Sequence, residues 1–549
     1  MDVVLVGLPG SGKSVVGKRL AHRHGAAFID LDEAVERADG RTIPEIFAEA
    51  GEPAFRALER RAVEALGPAD STAVVARVIA PGGGAVVDPR NRRHLYRGRV
   101  VVWLDGRPEV LAQRLRRSVH ARPLVAGRDP IGTIRALAAA RERFYAPGHR
   151  LNGITEVPAV VDAVERLVGD AIVAPGAGTV LLRADARIGS VVLGEGIAAT
   201  EVGAALRRLE ARRAILVSEP GAWAAAGETL AASLRGAGWP VEHVRLPQGE
   251  AAKRLAVVET AASELARLRV ERGEPIVAVG GGALGDTAGF LAATYLRGIP
   301  VVQVPTTLVA QIDSAIGGKT AVDLPEGKNL VGAFHQPAAI VIDTTFLLTL
   351  PERERRAALG EAVKMAALGD ERLFELLETT GESIARGEAA AFDRGAVAEL
   401  VERAAWAKVE VVLVDEREAG AAAGRIALNL GHSLGHAVEA AAGYRDLLHG
   451  EAVAHGLRAA CRIGVELGVT PPDRAARIDR LLDGLGLAVG PLPYLLEAVL
   501  DHLAADKKHA GGRLRWVLPT ADGYEVRADV PADLVERTAA SLLATGSPA

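Results

Sequence analysis

Three stretches of this chain bring together residues whose types and spacing could do chemistry. The first is Gly7-Leu8-Pro9-Gly10-Ser11-Gly12-Lys13-Ser14, a glycine-rich turn between a short apolar run and a helix-like segment. Glycines at this spacing let successive backbone N–H groups, through Gly10, Ser11, Gly12 and on to Val15, face phosphate oxygens, and the positive end of the following helix adds to them. Lys13 then reaches the outer phosphates and the Ser14 hydroxyl suits Mg2+, so bound ATP with Mg2+ is the natural occupant. The second stretch is Pro305–Gly332, which sets Thr306, Thr307, Asp313, Ser314, Lys319, Asp323, Lys328 and Asn329 among glycine pairs and short apolar runs. Lysines beside glycines that let backbone approach closely read as the wall of a polar pocket for an anion, against the plainer alternative of a solvated loop. The third is a set of helical pairs: Glu361 and Lys364 at i,i+3 on one face, His432 and His436 at i,i+4 on another, and then His449. A lone HxxxH is more often polar helix surface than a metal site. A third His and a Glu beside glycines shift the balance to Zn2+, and two imidazoles with one carboxylate leave a position open for substrate.

These residues need elements to hold them. At 549 residues the chain exceeds what one core normally serves, so at least two folding units are expected. Residues 1–170 read as a P-loop α/β unit in three layers, and 171–178, short and rich in Gly, Pro and Ala, as a linker. Residues 179–346 alternate strand-like and helix-like runs, the text of a parallel, Rossmann-like α/β layer. The turn Gly280-Gly281-Gly282-Ala283-Leu284-Gly285-Asp286 lacks the GxGxxG spacing, though close approach to a pyrophosphate needs the same absence of side chains. From 347 to 549 long Ala/Leu/Glu/Arg segments predict an α-helical, metal-binding part. In the first unit Asp30 and Asp32 are expected at the carboxyl end of a second strand, on one face, with a helix N-terminus decorated with acids as the alternative. A helix running from Val157 is expected to end near Gly169.

Composition excludes several classes. Residues 1–170 carry 26 basic against 21 acidic side chains and the remainder 39 against 48, so neither part has the basic stripe of a nucleic-acid binder. The single cysteine, Cys461, excludes an intramolecular disulfide framework and fits a reducing compartment. No run approaches the roughly 18–20 apolar residues of a membrane span. Strand-like text already at Asp2 leaves no room for a signal peptide, so a cytoplasmic protein acting on small molecules is expected.

Further along the first unit come Glu52-Pro53-Ala54-Phe55-Arg56, then Pro81-Gly82-Gly83-Gly84-Ala85-Val86, then Arg122-Pro123-Leu124 and Arg141 with Tyr145. With the P-loop and the Asp30/Asp32 pair, in this order, the unit resembles a shikimate kinase over nearly its whole length. The resemblance implies Asp30 near Mg2+, and Asp32, Arg56, Gly83, Gly84 and Arg141 around shikimate. Lys13 and Arg122, on a lid, would steady the transferred phosphoryl group, and Asp32 would receive the acceptor proton. Arginine forks suit a carboxylate. Val15 stands where the family pattern has Thr, and Arg143-Phe144 where it has Pro-Leu. A small kinase for another polyol, or a nucleotide-binding regulatory module without turnover, are the alternatives.

In the second unit GGGALGD, TYLRG, VPTTLVAQIDSAIGGKTAVD, GKNLVG, GEAVK, NLGHSLGHAVE, LHGE and DKK occur in the order of 3-dehydroquinate synthases, which residues 179–535 closely resemble. The resemblance implies Zn2+ (or Co2+) on Glu361, His432 and His449, with His436 left for acid–base or phosphate work. It implies NAD on Glu219, Glu250, Lys253, Gly281, Gly282, Asp286, Thr306, Thr307, Lys319 and Lys328. Asn329, Lys364, Arg425 and Lys507 would surround a heptulosonate phosphate, with Asp313, Lys319, Lys408 and Asn429 completing the constellation, and a homodimer through this unit is implied. Glu219-Pro220-Gly221 stands where the family has Asp-x-Asn. A metal-dependent polyol dehydrogenase is the alternative, but it leaves the basic residues unexplained.

Overall fold

The computed structural model describes all residues except 71, 117–128, 154, 174–177, 417–423, 444–445, 488–489, 510–513 and 545–549, with the side chains of 172–173 and 505–509 also outside the description. The chain divides into two compact units, Met1–Asp185 with Ser190–Thr200, and Ala186–Gly189 with Glu201–Ala549.

Five parallel strands organise the first unit: β1 (Val3–Val6), β2 (Ala27–Asp30), β3 (Arg77–Ala80), β4 (Val100–Asp105) and β5 (His149–Asn152), in the order β2-β3-β1-β4-β5. Val3, Leu5, Val102 and Leu104 are fully buried, the near-continuous apolar run of strands with helices on both faces. Because all five run the same way, the P-loop after β1, Asp30 at the end of β2 and Pro81–Gly84 after β3 open at one edge. The turn after β1 needs glycine at Gly12, whose φ of 98° caps the helix Lys13–His24. Two boundaries differ from expectation. The last helix runs Val157–Val173: a single glycine inside a helix costs only about 1 kcal/mol, less than docking Val160, Val161, Val164 and Val168 on the core contributes. And β2 stops at Asp30, which caps the helix Leu31–Asp39 by accepting from the Asp32 N–H at 3.1 Å. Asp32 therefore belongs to a helix's first turn, not to the strand. An Asp at a helix start satisfies orphan N–H groups, and that outweighs one more residue of strand.

Strands β6 (Thr179–Ala186) and β7 (Gly189–Glu195) follow as hydrogen-bonded neighbours. In the second unit come β8 (Ala214–Ser218), β9 (Val241–Arg245), β10 (Ile276–Gly280), β11 (Val301–Pro305), an antiparallel hairpin β12 (Lys319–Leu324) and β13 (Gly327–Phe334), and β14 (Ala339–Asp343). The parallel strands stand in the order β14-β11-β10-β8-β9. The chain leaves β8 for the edge strand β9 and returns to β10 on the other side, so the order reverses between β8 and β10. The crevice outside the carboxyl ends at such a switch point is where open α/β sheets bind ligands. Beyond Asp343 the chain is helical, with Glu352–Ala367, Ala396–Val414, His432–Ala441 and His449–Glu466 carrying the candidate residues. One departure is a two-stranded insert, β15 (Trp516–Pro519) and β16 (Tyr524–Arg527), where the sequence was read as uniformly helical. Its alternating Trp516, Leu518, Tyr524 and Val526 carry a strand period in a window too short to stand out.

Candidate active sites

In the first unit the Ser14 hydroxyl donates to Asp30 at 2.9 Å, which joins the two residues expected at a cation. The Lys13 ammonium donates to the Gly7 and Leu8 carbonyls at 2.9 and 3.2 Å, folded over its own loop. The Ser11 hydroxyl is buried with no hydrogen-bond partner among the described residues, the state expected of a donor facing a phosphate site. These donors fit ATP with Mg2+. Val15 is exposed at 59 %.

Beside this loop, Pro81–Gly84 makes the floor of a second subsite. A Cβ on Gly82 would lie 2.5 Å from the Asp32 carboxylate, and one on Gly84 2.9 Å from both terminal nitrogens of Arg56. Arg141 is buried, 3.6 Å from a Cβ on Gly83, and the Tyr145 hydroxyl donates to the Gly83 carbonyl. Asp32, Arg56, Gly83, Gly84 and Arg141 thus meet as expected. The Arg143-Phe144 departure does not disturb them, because the Phe144 ring sits under both Arg92 and Arg143, with guanidinium carbons 4.3 and 4.7 Å from its centroid. Glu59, the acid of the Phe55-Arg56-x-x-Glu59 motif, had no role assigned from the sequence. It is buried, accepts from Arg56 Nη1 at 2.9 Å while Glu52 takes Nε and Nη2, and has its carboxyl raised by burial although Arg56 pulls it down. The i,i+3 spacing from Arg56 was the available signal. Arg122 lies outside the described residues.

In the second unit the cation candidates converge. Glu361 is fully buried, and its Oε1 lies 3.4 Å from His432 Nε2 and 3.1 Å from His449 Nε2. The other ring nitrogens are engaged: His432 Nδ1–H donates to the Leu430 carbonyl at 3.1 Å and His449 Nδ1–H to Glu439 at 3.0 Å. Both imidazoles therefore turn Nε2 inward toward Glu361, the nitrogen that a metal would take in place of a proton. His436 joins them, since ligand atoms of His432, His436 and His449 all lie within 4.8 Å of one another. Neither Glu361 oxygen accepts a well-formed hydrogen bond, although Lys364 Nζ stands 2.6 Å from Oε2. Burial alone would raise this carboxyl, yet Lys364 and His432 hold it well below the usual range. A buried, ionised carboxylate among three imidazoles, with no well-formed hydrogen bond to either oxygen, fits a divalent cation such as Zn2+ or Co2+. Next to it Lys408 pairs with Asp313; burial pushes the Lys408 ammonium down, with Asp313 pulling it back.

Close helix packing explains how Glu361 and His449 meet. A Cβ on Gly450 would lie 1.9 Å from the Ala357 carbonyl, and one on Gly360 2.3 Å from the Gly450 carbonyl. The helices Glu352–Ala367 and His449–Glu466 touch backbone to backbone beside the two ligands. Gly450→Ala is expected to lower stability by about 1–3 kcal/mol and to weaken Co2+ binding. Thermal melting and a Co2+ titration check this; parental values in both would mean the contact is not there.

The nucleotide candidates surround the switch point. A Cβ on Gly281 would be 3.1 Å from the Thr307 methyl and 3.9 Å from Glu219 Oε1, and one on Gly282 2.9 Å from the Ser314 hydroxyl, itself buried and unpartnered among the described residues. Such a bare cradle, opening on the N-terminus of the helix Gly282–Thr294, fits the pyrophosphate of NAD. Glu219 is buried, with one oxygen taken by the Gly249 N–H at 2.6 Å. Thr306 is buried in the same turn, its N–H on the Gly280 carbonyl. Lys253 donates to Asp286 at 2.8 Å and to Asn329, which holds a left-handed φ of 58° with its N–H on Asp323. Lys328 reaches Glu250 at 3.2 Å and Glu439 at 3.0 Å. Burial pushes the Asp286 carboxyl up to about 6, with Lys253 pulling it back. That lies above an unfolded Asp at about 3.9, so this group's stabilisation is fully present below about pH 4 and is lost as pH rises through about 6. Asp286→Asn is expected to remove that slope from the melting profile between pH 4 and 6; an unchanged profile would contradict it.

Lys319 and Asn429 are exposed. Arg425 is buried, and its guanidinium donates to the Glu416 and Gly317 carbonyls, each at 2.9 Å. The Lys507 side chain lies outside the description. Glu439 is a residue that sequence reasoning missed; it stands seven after His432 and three after His436, on their helical face.

The first unit is thus a P-loop mononucleotide fold with an arginine-lined subsite, and the second a dinucleotide-type α/β layer joined to helices that carry a cation cradle. Family profiles match in the same order: shikimate kinase over residues 9–154, 3-dehydroquinate synthase N-terminal over 243–357 and 3-dehydroquinate synthase C-terminal over 358–509. The 3-dehydroquinate synthase of Symbiobacterium thermophilum is 43 % identical over 353 residues, 63 % of this chain and 95 % of that one. That of Caulobacter vibrioides is 42 % identical over 342 residues, 61 % of this chain and 90 % of that one. Among solved structures, 2-epi-5-epi-valiolone synthase from Streptomyces hygroscopicus subsp. jinggangensis, with NAD+ and Zn2+ bound, is 31 % identical with a TM-score of 0.58 over 64 % of this chain and 96 % of that one. A 2-deoxy-scyllo-inosose synthase complexed with carbaglucose-6-phosphate, NAD+ and Co2+ is 27 % identical with a TM-score of 0.56 over 65 % and 97 %. The chain belongs to the 3-dehydroquinate synthase family and carries a shikimate kinase domain ahead of the synthase domains. No helix among the described residues is long and apolar enough to cross a membrane.

Proposed function

We propose that one chain catalyses two reactions: ATP-dependent phosphorylation of shikimate to shikimate 3-phosphate, and conversion of 3-deoxy-D-arabino-heptulosonate 7-phosphate to 3-dehydroquinate and phosphate. The observation that carries the second is the buried Glu361 carboxylate set among three imidazoles and beside Lys364 and the Asp313–Lys408 pair. When bound, NAD+ supplies a hydride acceptor that is regenerated in each turnover, and a divalent cation supplies a positive charge that holds substrate hydroxyls. Glu361, His432 and His449 would hold that cation, with His436 free to move a proton. Lys364, Lys319, Asn329 and Lys507 would bind the phosphate and carboxylate, and Arg425 would brace the Gly317 turn that leads to Lys319. Glu219, Gly281, Gly282, Asp286, Thr306 and Thr307 would seat the nucleotide, with Glu250, Lys253 and Lys328 at its rim. In the kinase, Lys13 would leave its carbonyls for the phosphates, Ser14 and Asp30 would hold Mg2+, Asp32 would orient the acceptor hydroxyl, and Arg56 and Arg141 would bind the shikimate carboxylate.

The 3-dehydroquinate synthase reading is favoured over those of 2-epi-5-epi-valiolone synthase and 2-deoxy-scyllo-inosose synthase because the relatives at 42–43 % identity are 3-dehydroquinate synthases, whereas these two stand at 31 and 27 %. We further propose domains at 1–173, 179–346 and 347–549, the expected linker at 171–178 being shortened at its start by the helix that ends at Val173, with assembly as a homodimer through the synthase part and residence in the cytoplasm. Phosphate release from the heptulosonate phosphate with no rise in NADH absorbance tests the lyase; NADH formed in step with substrate consumed would make the unit a dehydrogenase.

A further inference from the structure

Glu439 is placed between two subsites that no motif connects. It lies in the third turn of the helix His432–Ala441, is 6 % exposed, and divides its two oxygens between different elements. Oε2 accepts from His449 Nδ1 at 3.0 Å, while Oε1 lies 3.0 Å from the Lys328 ammonium on β13. His449 opens the helix His449–Glu466 and turns its other nitrogen toward Glu361; Lys328 belongs to the hairpin that borders the nucleotide cradle and also reaches Glu250 in the turn Gly249–Ala252. One buried carboxylate thus fixes the tautomer of an imidazole on the cation side and the position of an ammonium on the nucleotide side. A buried ion pair serving packing alone would need neither partner to face a site, and an apolar pair of the same volume would serve packing as well.

We propose that Glu439 is a positioning residue for both subsites: its hydrogen bond presents His449 Nε2 to the divalent cation, and its pairing with Lys328 holds that ammonium for the nucleotide. The proposal rests on the cation and NAD+ reading above. The carboxylate is matched to both tasks at once. An imidazole whose Nδ1–H donates to a carboxylate is a more basic ligand at Nε2. A lysine anchored by Glu439 and Glu250 has lost the freedom that an unanchored side chain would surrender on meeting a phosphate. A shared anchor also makes the two sites thermodynamically linked, so a change at one is read at the other.

The test uses the full-length chain, stripped of metal by chelation and titrated with Co2+, followed through visible absorption, and then with NAD+ at saturating Co2+. Glu439→Gln keeps the shape and removes the charge. It is expected to weaken Co2+ by about 10- to 100-fold, to change the Co2+ spectrum, and to weaken NAD+ severalfold. Lys328→Met is expected to weaken NAD+ by a similar factor, and adding Glu439→Gln to it should cost no further NAD+ affinity. Glu439→Asp, charged but one methylene short of spanning both partners, supplies a second variant if Gln does not fold, and should weaken at least one ligand about fivefold. Parental affinities for both ligands in a folded Glu439 variant, or NAD+ losses that add between Glu439→Gln and Lys328→Met, would overturn the proposal. A parental chain that bound neither Co2+ nor NAD+ would overturn the reading beneath it, and the proposal with it.

Discussion

Glu361→Gln is expected to cut phosphate release from the heptulosonate phosphate by about 100-fold or more, charge held at a reacting centre by a cation being worth several kcal/mol, and to leave the purified chain short of its divalent cation. The argument is electrostatic. Glu361 is fully buried and ionised, and it faces two imidazole nitrogens at 3.1 and 3.4 Å. A neutral amide offers the cation a dipole in place of a charge. The same substitution strands Lys364, equally buried at 2.6 Å, without its counter-charge. Leaving a buried ion unpaired costs about 3–5 kcal/mol, so Glu361→Gln should also melt earlier. Two effects can be separated by adding Lys364→Met: the double variant should recover most of the lost stability and none of the activity. Shikimate-dependent ADP formation should be untouched, because the kinase site is built wholly from residues of the first unit. Normal metal content and phosphate release in Glu361→Gln would refute the cation assignment.

Lys13→Met is expected to do the converse, lowering shikimate-dependent ADP formation by roughly 10²–10³-fold, the usual effect of removing one charge-stabilising donor from a transition state, with phosphate release unchanged. The Lys13 ammonium donates to the Gly7 and Leu8 carbonyls. It is therefore held within the loop at modest cost and is available to exchange two carbonyls for phosphate oxygens. Phosphoryl transfer is mostly positioning and charge neutralisation, so methionine of similar length should preserve the fold while removing the function. A coupled ADP assay on the full chain decides it. Retention of turnover within a few-fold would mean that the loop does not bind the transferred phosphates. Loss of both activities together would mean that the two sites do not work independently.

How much of this was legible in the sequence follows from how local each feature is. The P-loop and the His432/His436 pair are set by short spacings on single elements, whereas Ser14 meets Asp30 and His449 meets the pair across two elements, through motifs that stand in a recognisable order along the chain. Asp32 was placed on the wrong element because Asp30 could equally extend a strand or cap a helix, and capping won. The stretch Pro305–Gly332 was recognised as a pocket wall, but its folding into the hairpin β12–β13 was not, since Lys, Asp, Glu and Asn interrupt the alternation that marks a strand. Glu439 and Glu59 lie inside recognised motifs but received no role, because each acts through a partner, His449 and Arg56, which only the folded structure reveals. Gly360 and Gly450 stand in the GEAVK and LHGE motifs, but that they let two helices touch appears only in the folded structure.

The most direct measurement is a single 31P NMR time course on the full-length chain supplied with the heptulosonate phosphate, shikimate, ATP, Mg2+, NAD+ and Zn2+. Two sets of signals should grow together: inorganic phosphate from the first substrate, and ADP with shikimate 3-phosphate from the second pair, while the NAD+ resonances stay constant. A spectrum in which only one set appears, or in which NAD+ is consumed in proportion to substrate, would contradict a chain that carries both a shikimate kinase and a 3-dehydroquinate synthase.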